Sequence, residues 1–239
     1  MECKSLFEAD GSLILPQFLS PEAIARIQLE SAECKHLAYF TDDKHTVYLS
    51  PPDPIFDNNH PRNRLVSSSK GCITTDQIPD TSPLFCLYHS EMFRQFLCSV
   101  LGESALHEYA DPLSSINVNY ADQGQELGWH YDNSSFAITL LVQAPQQGGE
   151  LEYIKDVRNA DSGEMNYAAT KKVLDGITKP NTLAIDTGTL VLFAGRNSMH
   201  RVTPVVGNMT RILVVLAYNS EPGISLSESA RMTFFGRLD

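Results

Sequence analysis

Apolar residues change rhythm about two-fifths of the way along this chain. Before Gly102 they recur at helical spacing, and after it they fall in short β-branched runs. Residues 12–19 (SLILPQFL) predict a short strand leading into a helix. Ser20-Pro21-Glu22 offers a hydroxyl N-cap, a proline in the first turn and a carboxylate near the positive end of the helix dipole. That helix should reach about Lys35, with Ile24, Ile27 and Leu29 as its apolar face. A second helix should open at Ser82-Pro83 and run to Gly102, whose missing Cβ suits the position after a helix end. Between them, residues 50–63 (SPPDPIFDNNHPRN) carry four prolines and several Asx residues, a pattern for irregular loop. Beyond Gly102, SSINVNY, FAITLLVQ, GELEYI, NTLAID, TLVLF, HRVTPVV and RILVVLAY are separated by Gly, Asn, Asp or Pro. The expected fold is mainly β with flanking helices: a double-stranded β-helix, the cupin-like jelly roll. One domain over 1–239 is expected, helical over about 1–105 and jelly roll over about 106–225. Residues 155–182 are polar, with a short helix at 167–174, and read as either a functional lid or a floppy insertion.

Composition narrows the function classes. With 18 basic against 29 acidic residues the net charge is −11, which opposes nucleic-acid binding. No apolar run is long enough to cross a bilayer, and the first residues lack an export core. Five cysteines without a CxxC pair suit free thiols in a reducing cytoplasm. No GxSxG, Walker or dinucleotide glycine pattern occurs.

The chemistry-bearing residues sit in Gly128-Trp129-His130-Tyr131-Asp132-Asn133 and Ser198-Met199-His200-Arg201-Val202. In extended backbone, positions i and i+2 share a side, so His130 and Asp132 can face one metal, and His200 can supply a third donor. Two imidazoles and a carboxylate on one octahedral face leave three positions open, as non-haem iron(II) oxygenases require. A buried hydrogen-bonded His–Asp pair is the plain alternative. Gly148-Gly149 and the Asp186-Thr187-Gly188-Thr189 turn frame the ligand strands. Arg211 follows His200 by eleven residues in an otherwise apolar strand. A charge there needs a partner, and a dicarboxylate would be one; a surface ion pair is the other reading.

The HxD…H…R order, with the GGEL, D-x-G-x-L-V-L-F and H-R-V elements, resembles the iron(II)/2-oxoglutarate dioxygenase superfamily from about Asn117 to Tyr218. The resemblance implies iron(II), 2-oxoglutarate and dioxygen, with Arg211 on the distal carboxylate of the co-substrate and Tyr120 beside it. Arg62-Asn63-Arg64, Asp111-Pro112-Leu113, the ELGWHYDNSSFAITLLVQ block, HRVTPV and Phe235-Gly236-Arg237 are similar to a bacterial branch acting on free amino acids. That branch includes radical lysine chlorinases, in which glycine replaces the ligand carboxylate. Asp132 is present here, so the resemblance implies hydroxylation, with a lysine-like amino acid as first substrate.

Asn133, Arg62, Arg64 and Arg158 are the substrate-binding candidates, each with a solvated or turn role as its alternative. His36, His45, His60, His89 and His107 lack ligand spacing, and Asp57, Asp122 and Glu126 read as loop charges. Trp129 should pack beside the metal strand. Rival functions are a protein or other small-metabolite hydroxylase, a zinc-dependent cupin-like hydrolase or isomerase with no need of Arg211, and a ligand-binding barrel without catalysis.

Overall fold

A computed structural model describes residues 2–239. Six helices occur among them: α1 (Glu2–Asp10), α2 (Pro21–Cys34), α3 (Pro83–Tyr88), α4 (Glu91–Leu101), α5 (Tyr167–Leu174) and α6 (Glu228–Phe235). The strands before Gly102 are β1 (Ser12–Leu15), β2 (Tyr39–Thr46) and β3 (Leu65–Ile73). Those after it are β4 (Ile116–Ala121), β5 (Leu127–His130), β6 (Ala137–Gln143), β7 (Gln147–Gly148), β8 (Leu151–Ile154), β9 (Asn181–Leu183), β10 (Leu190–Phe193), β11 (Met199–Val202), β12 (Val205–Val206) and β13 (Arg211–Leu216). The main sheet runs β1-β10-β6-β13-β4-β3-β5-β11-β8-β9, with β2 added to β3 and a small β12-β7 pair apart from it. All its pairings are antiparallel. One cavity is lined by residues from both halves of that order, so the sheet curls over itself as a jelly roll.

Strand alternation sets the two faces. On β13, Ile212, Val214 and Leu216 join the core beneath the helices, while Arg211, Leu213 and Val215 face the cavity. The helices contribute Ile24, Ile27, Leu84 and Leu97 to that core. Helix α2 starts as its sequence dictates, with Ala23 N donating to Ser20 Oγ at 3.2 Å. Its buried stripe is Ile24, Ile27 and Ser31; Leu29 points outward and is 61 % exposed. The single helix expected from Ser82 to Gly102 is two. Ser90 caps a new one, accepting from Phe93 N at 3.3 Å, and Gly102 at φ +76° closes it.

The stretch before residue 106 is not simply helical, because β1, β2 and β3 all enter the main sheet. The loop over 50–63 is organised from inside. Buried Asn63 donates to the carbonyls of Asp53 and Phe56 and accepts from Asp53 N. Residues 155–182 are built in as well. Val157 and Val173 join Tyr48, Tyr131 and Met199 in a second apolar cluster, and Asn181 and Thr182 belong to β9.

Candidate metal centre

Adjacent strands deliver the two histidines. His200 on β11 pairs directly with His130 on β5, so their rings lie side by side with centroids 4.1 Å apart. Past the end of β5, Asp132 N donates to Gly195 O at 3.1 Å, which turns the carboxylate toward both rings. Asp132 Oδ1 lies 3.6 Å from His130 Nε2 and 3.5 Å from His200 Nε2. One donor atom from each residue lies within 4.8 Å of the others.

These residues fit a divalent metal on three grounds. Each Nδ1 faces a backbone carbonyl, Gly128 O at 2.8 Å from His130 and Ser198 O at 3.0 Å from His200. A carbonyl only accepts, so Nδ1 must carry the proton and Nε2 is left as the donor atom, the arrangement metal-binding histidines adopt. Asp132 Oδ2 is buried without a hydrogen-bond partner, and buried carboxylate oxygens seldom go unsatisfied. Gly195 also makes room: a Cβ there would overlap Asp132 Oδ2 and lie 2.6 Å from Cγ and 2.9 Å from His200 Cε1. Burial alone would raise the Asp132 carboxyl, but the adjacent His200 and His130 imidazoles hold it well below the carboxylate range. Burial, with the neighbouring His200 charge, lowers the His130 imidazole.

Arg211 opens β13 on the cavity face and is 6 % exposed. Its Nε donates to Gly149 O at 2.9 Å, and among the described residues it makes no ion pair. Gly149 sits at φ +64°, and a Cβ there would come within 2.8 Å of Arg211 Cδ, so this glycine both turns the chain and seats the arginine stem. Burial draws the guanidinium down to about 10, which leaves it charged at neutral pH. The cavity holding Arg211 and the triad is about 300 Å³ and otherwise mostly apolar, with Phe136, Phe193, Leu213 and Val215 among its walls.

Tyr120 does not serve this cavity with its hydroxyl. It pairs with Ile212 and donates to Ser31 O at 2.7 Å, on the helix side of the sheet. The residue opposite Arg211 is Ala121. The four substrate candidates lie outside the cavity walls, which do include Tyr120. Asn133 is exposed, and its carbonyl accepts from Arg196. Arg64 pairs with Asp175 and donates to Leu174 O. Arg62 lies over the Tyr48 ring at 5.8 Å, with Nη1 buried and unpartnered. Arg158 stacks 4.2 Å from the Tyr131 ring centre. Trp129 packs under the Arg201 guanidinium at 4.9 Å.

Lys70, Asn119 and Glu126 are among the polar residues that line the cavity and that no sequence pattern marks as ligands. Lys70 Nζ donates to Asn119 Oδ1 at 2.6 Å and makes no ion pair among the described residues. Lys70 belongs to SSSKG, a polar run that looks like loop until β3 is seen.

A jelly roll with two histidines and a carboxylate at one point, and a buried arginine in the same cavity, defines an iron(II)- and 2-oxoglutarate-dependent oxygenase. Within that class the chain belongs to the Halogenase D family, whose model matches residues 2–233. Solved structures share the fold at low identity. A carbocyclase of nogalamycin biosynthesis, SnoK, has a TM-score of 0.63 at 10 % identity, covering 96 % of this chain and 89 % of its own. A 2OG-Fe(II) oxygenase family oxidoreductase from Burkholderia pseudomallei gives 0.59 at 14 %, covering 94 % and 92 %. HygX from Streptomyces hygroscopicus, solved with nickel, 2-oxoglutarate and hygromycin B, gives 0.57 at 13 %, covering 95 % and 89 %. No protein of curated function matches the chain.

Proposed function

We propose that this protein hydroxylates an unactivated C–H bond of a small free amino acid, with iron(II) held by His130, Asp132 and His200. The observation that carries the reading is the complete donor face, Asp132 included, in one cavity with Arg211. Asp132 stands where the chlorinases that the sequence resembles have glycine. The position that chloride would need is therefore taken by a carboxylate.

When bound, iron(II) with 2-oxoglutarate activates dioxygen for C–H oxidation. The chain's own residues do the rest. Gly128 O and Ser198 O fix the imidazole tautomers, so both Nε2 atoms face the metal position. Arg211, pinned by Gly149 O, receives the distal carboxylate of the co-substrate with its free guanidinium nitrogens. The apolar walls exclude water from the reacting end.

Substrate recognition falls to the polar residues in the cavity. Lys70 offers a cation for an α-carboxylate, and Glu126 is the cavity's one carboxylate besides Asp132. A zwitterion needs one of each. A cavity of about 300 Å³ is at the small end for ligand sites, which favours a small substrate once 2-oxoglutarate is in place. Lysine is the first candidate, its methylenes against Leu213 and Val215 and an ammonium at Glu126. The test is a screen of free amino acids for succinate formation and a mass gain of one oxygen. Chlorinated product from wild-type protein would overturn hydroxylation. Turnover only with peptides or carrier-bound substrates would overturn the free amino acid.

A further inference from the structure

The residue between two of the proposed metal ligands is held from outside the jelly roll. Tyr131 is fully buried. Its ring stacks on Tyr48 with centroids 5.4 Å apart, and the Arg158 guanidinium lies 4.2 Å from its centre. Its hydroxyl shares a hydrogen bond of 2.9 Å with Thr170 Oγ1 on α5, and Tyr48 donates to the same oxygen at 3.1 Å. Arg158 also donates from Nη2 to Asp132 O at 3.4 Å and from Nε to Arg196 O at 2.8 Å. The turn between β10 and β11 is tied in from its other side. Val157 N donates to Asn197 O at 3.0 Å and Ala160 N to Asn197 Oδ1 at 2.9 Å. Arg196, bridged to Asp161, donates to Asn133 O at 2.8 Å.

These contacts join the HxD turn to the loop carrying Gly195 through residues of one segment. Asp132's carboxylate needs such support, because it lies beyond the end of β5 and has no sheet neighbour of its own. We infer that Arg158 and Thr170 are positioning residues for Asp132, and that residues 155–182 act as a clamp on the metal turn. This rests on the reading of Asp132 as a metal ligand. Without the clamp the carboxylate leaves the donor face, and the two histidines bind metal alone.

The test titrates full-length apoprotein with cobalt(II), reading affinity and the ligand-field absorption spectrum. Asp132→Ala is the reference for a lost carboxylate, and Arg64→Ala, which removes a partner of Asp175 on the same segment, is the control. Arg158→Ala should bind cobalt(II) about 10–100-fold more weakly, the range for lost outer-shell partners. Its spectrum should move toward that of Asp132→Ala. Arg158→Lys should not restore either property, because an ammonium cannot stack on Tyr131 while serving two carbonyls. Thr170→Val should weaken binding several-fold, and Thr170→Ser should restore it. Wild-type affinity and spectrum in folded Arg158→Ala would overturn the clamp. If Arg158→Ala does not fold, the Thr170 pair decides: Val behaving like wild type overturns it. Wild-type cobalt(II) binding by Asp132→Ala would instead overturn the metal reading beneath it.

Discussion

Strand β13 places an arginine in the cavity of the metal centre and the 155–182 segment places one against the metal turn, and the two have opposite surroundings. Arg211 is buried, keeps one bond to Gly149 O and has no carboxylate beside it. Arg158 is half-buried and its nitrogens serve backbone carbonyls and aromatic rings of the chain itself. Burying a charge without a partner is costly, so an unpaired cation in a cavity marks a place meant for an anion. A cation with internal partners is part of the scaffold. By the same criterion Lys70 belongs with Arg211, and Arg64, paired with Asp175, belongs with Arg158.

The strongest way to break this contrast is to remove the centre that both regions serve. His130→Ala, Asp132→Ala and His200→Ala should each abolish 2-oxoglutarate turnover while the far-ultraviolet circular dichroism stays unchanged. Near-normal activity in His200→Ala would mean that the third donor lies elsewhere. Asp132→Gly should likewise lose hydroxylation and gain at most slight chlorination, read by product mass in chloride buffer.

Next in size is Arg211→Ala. Loss of a charge-assisted contact in a dry cavity should weaken 2-oxoglutarate by tens to thousands of fold, about 2–5 kcal/mol. Anaerobic titration measures it, and unchanged affinity would put the co-substrate's carboxylate somewhere else. Tyr120→Phe sharpens the comparison from the other face of the sheet. It should cost stability of about 0.5–1.5 kcal/mol through the bond to Ser31 O, with 2-oxoglutarate affinity unchanged. The smallest effect belongs to Arg64→Ala. Its partly exposed pair with Asp175 should contribute little to stability, with the thermal midpoint close to wild type, and KM for the amino acid should not move.

The jelly roll is readable because strands such as RILVVLAY and TLVLF are buried or half-buried on both faces and so, Arg211 apart, are almost wholly apolar. Strands β2 (YFTDDKHT) and β3 (LVSSSKGCI) went unread for the opposite reason. The first is an edge strand and largely exposed, and the second turns serines and Lys70 toward its neighbours and the cavity. The i, i+2 spacing suggests His130 and Asp132 as a pair, but His200 enters only through the flanking motifs and the resemblance they carry. Where the Tyr120 hydroxyl goes depends on register, which the sequence does not give: one residue's shift separates Ala121, opposite Arg211, from Tyr120, opposite Ile212. Arg64 and Arg158 meet acceptors within the chain, and charge in a polar stretch does not tell which internal acceptor an arginine will meet.

Gly195 carries a consequence for how this sequence can drift. Its missing Cβ is the space into which the Asp132 carboxylate fits, so the two positions cannot vary independently. A chain that keeps the aspartate must keep the glycine, and Gly195→Ala arising first would expel the carboxylate. Replacement of Asp132 by glycine lifts most of that constraint, and the 2.9 Å approach to His200 then still holds the position to a small residue. Among descendants of a common ancestor, alanine or serine at 195 should therefore appear only in lineages that have already lost the aspartate. That order of substitution makes a return to the three-donor face a two-step change.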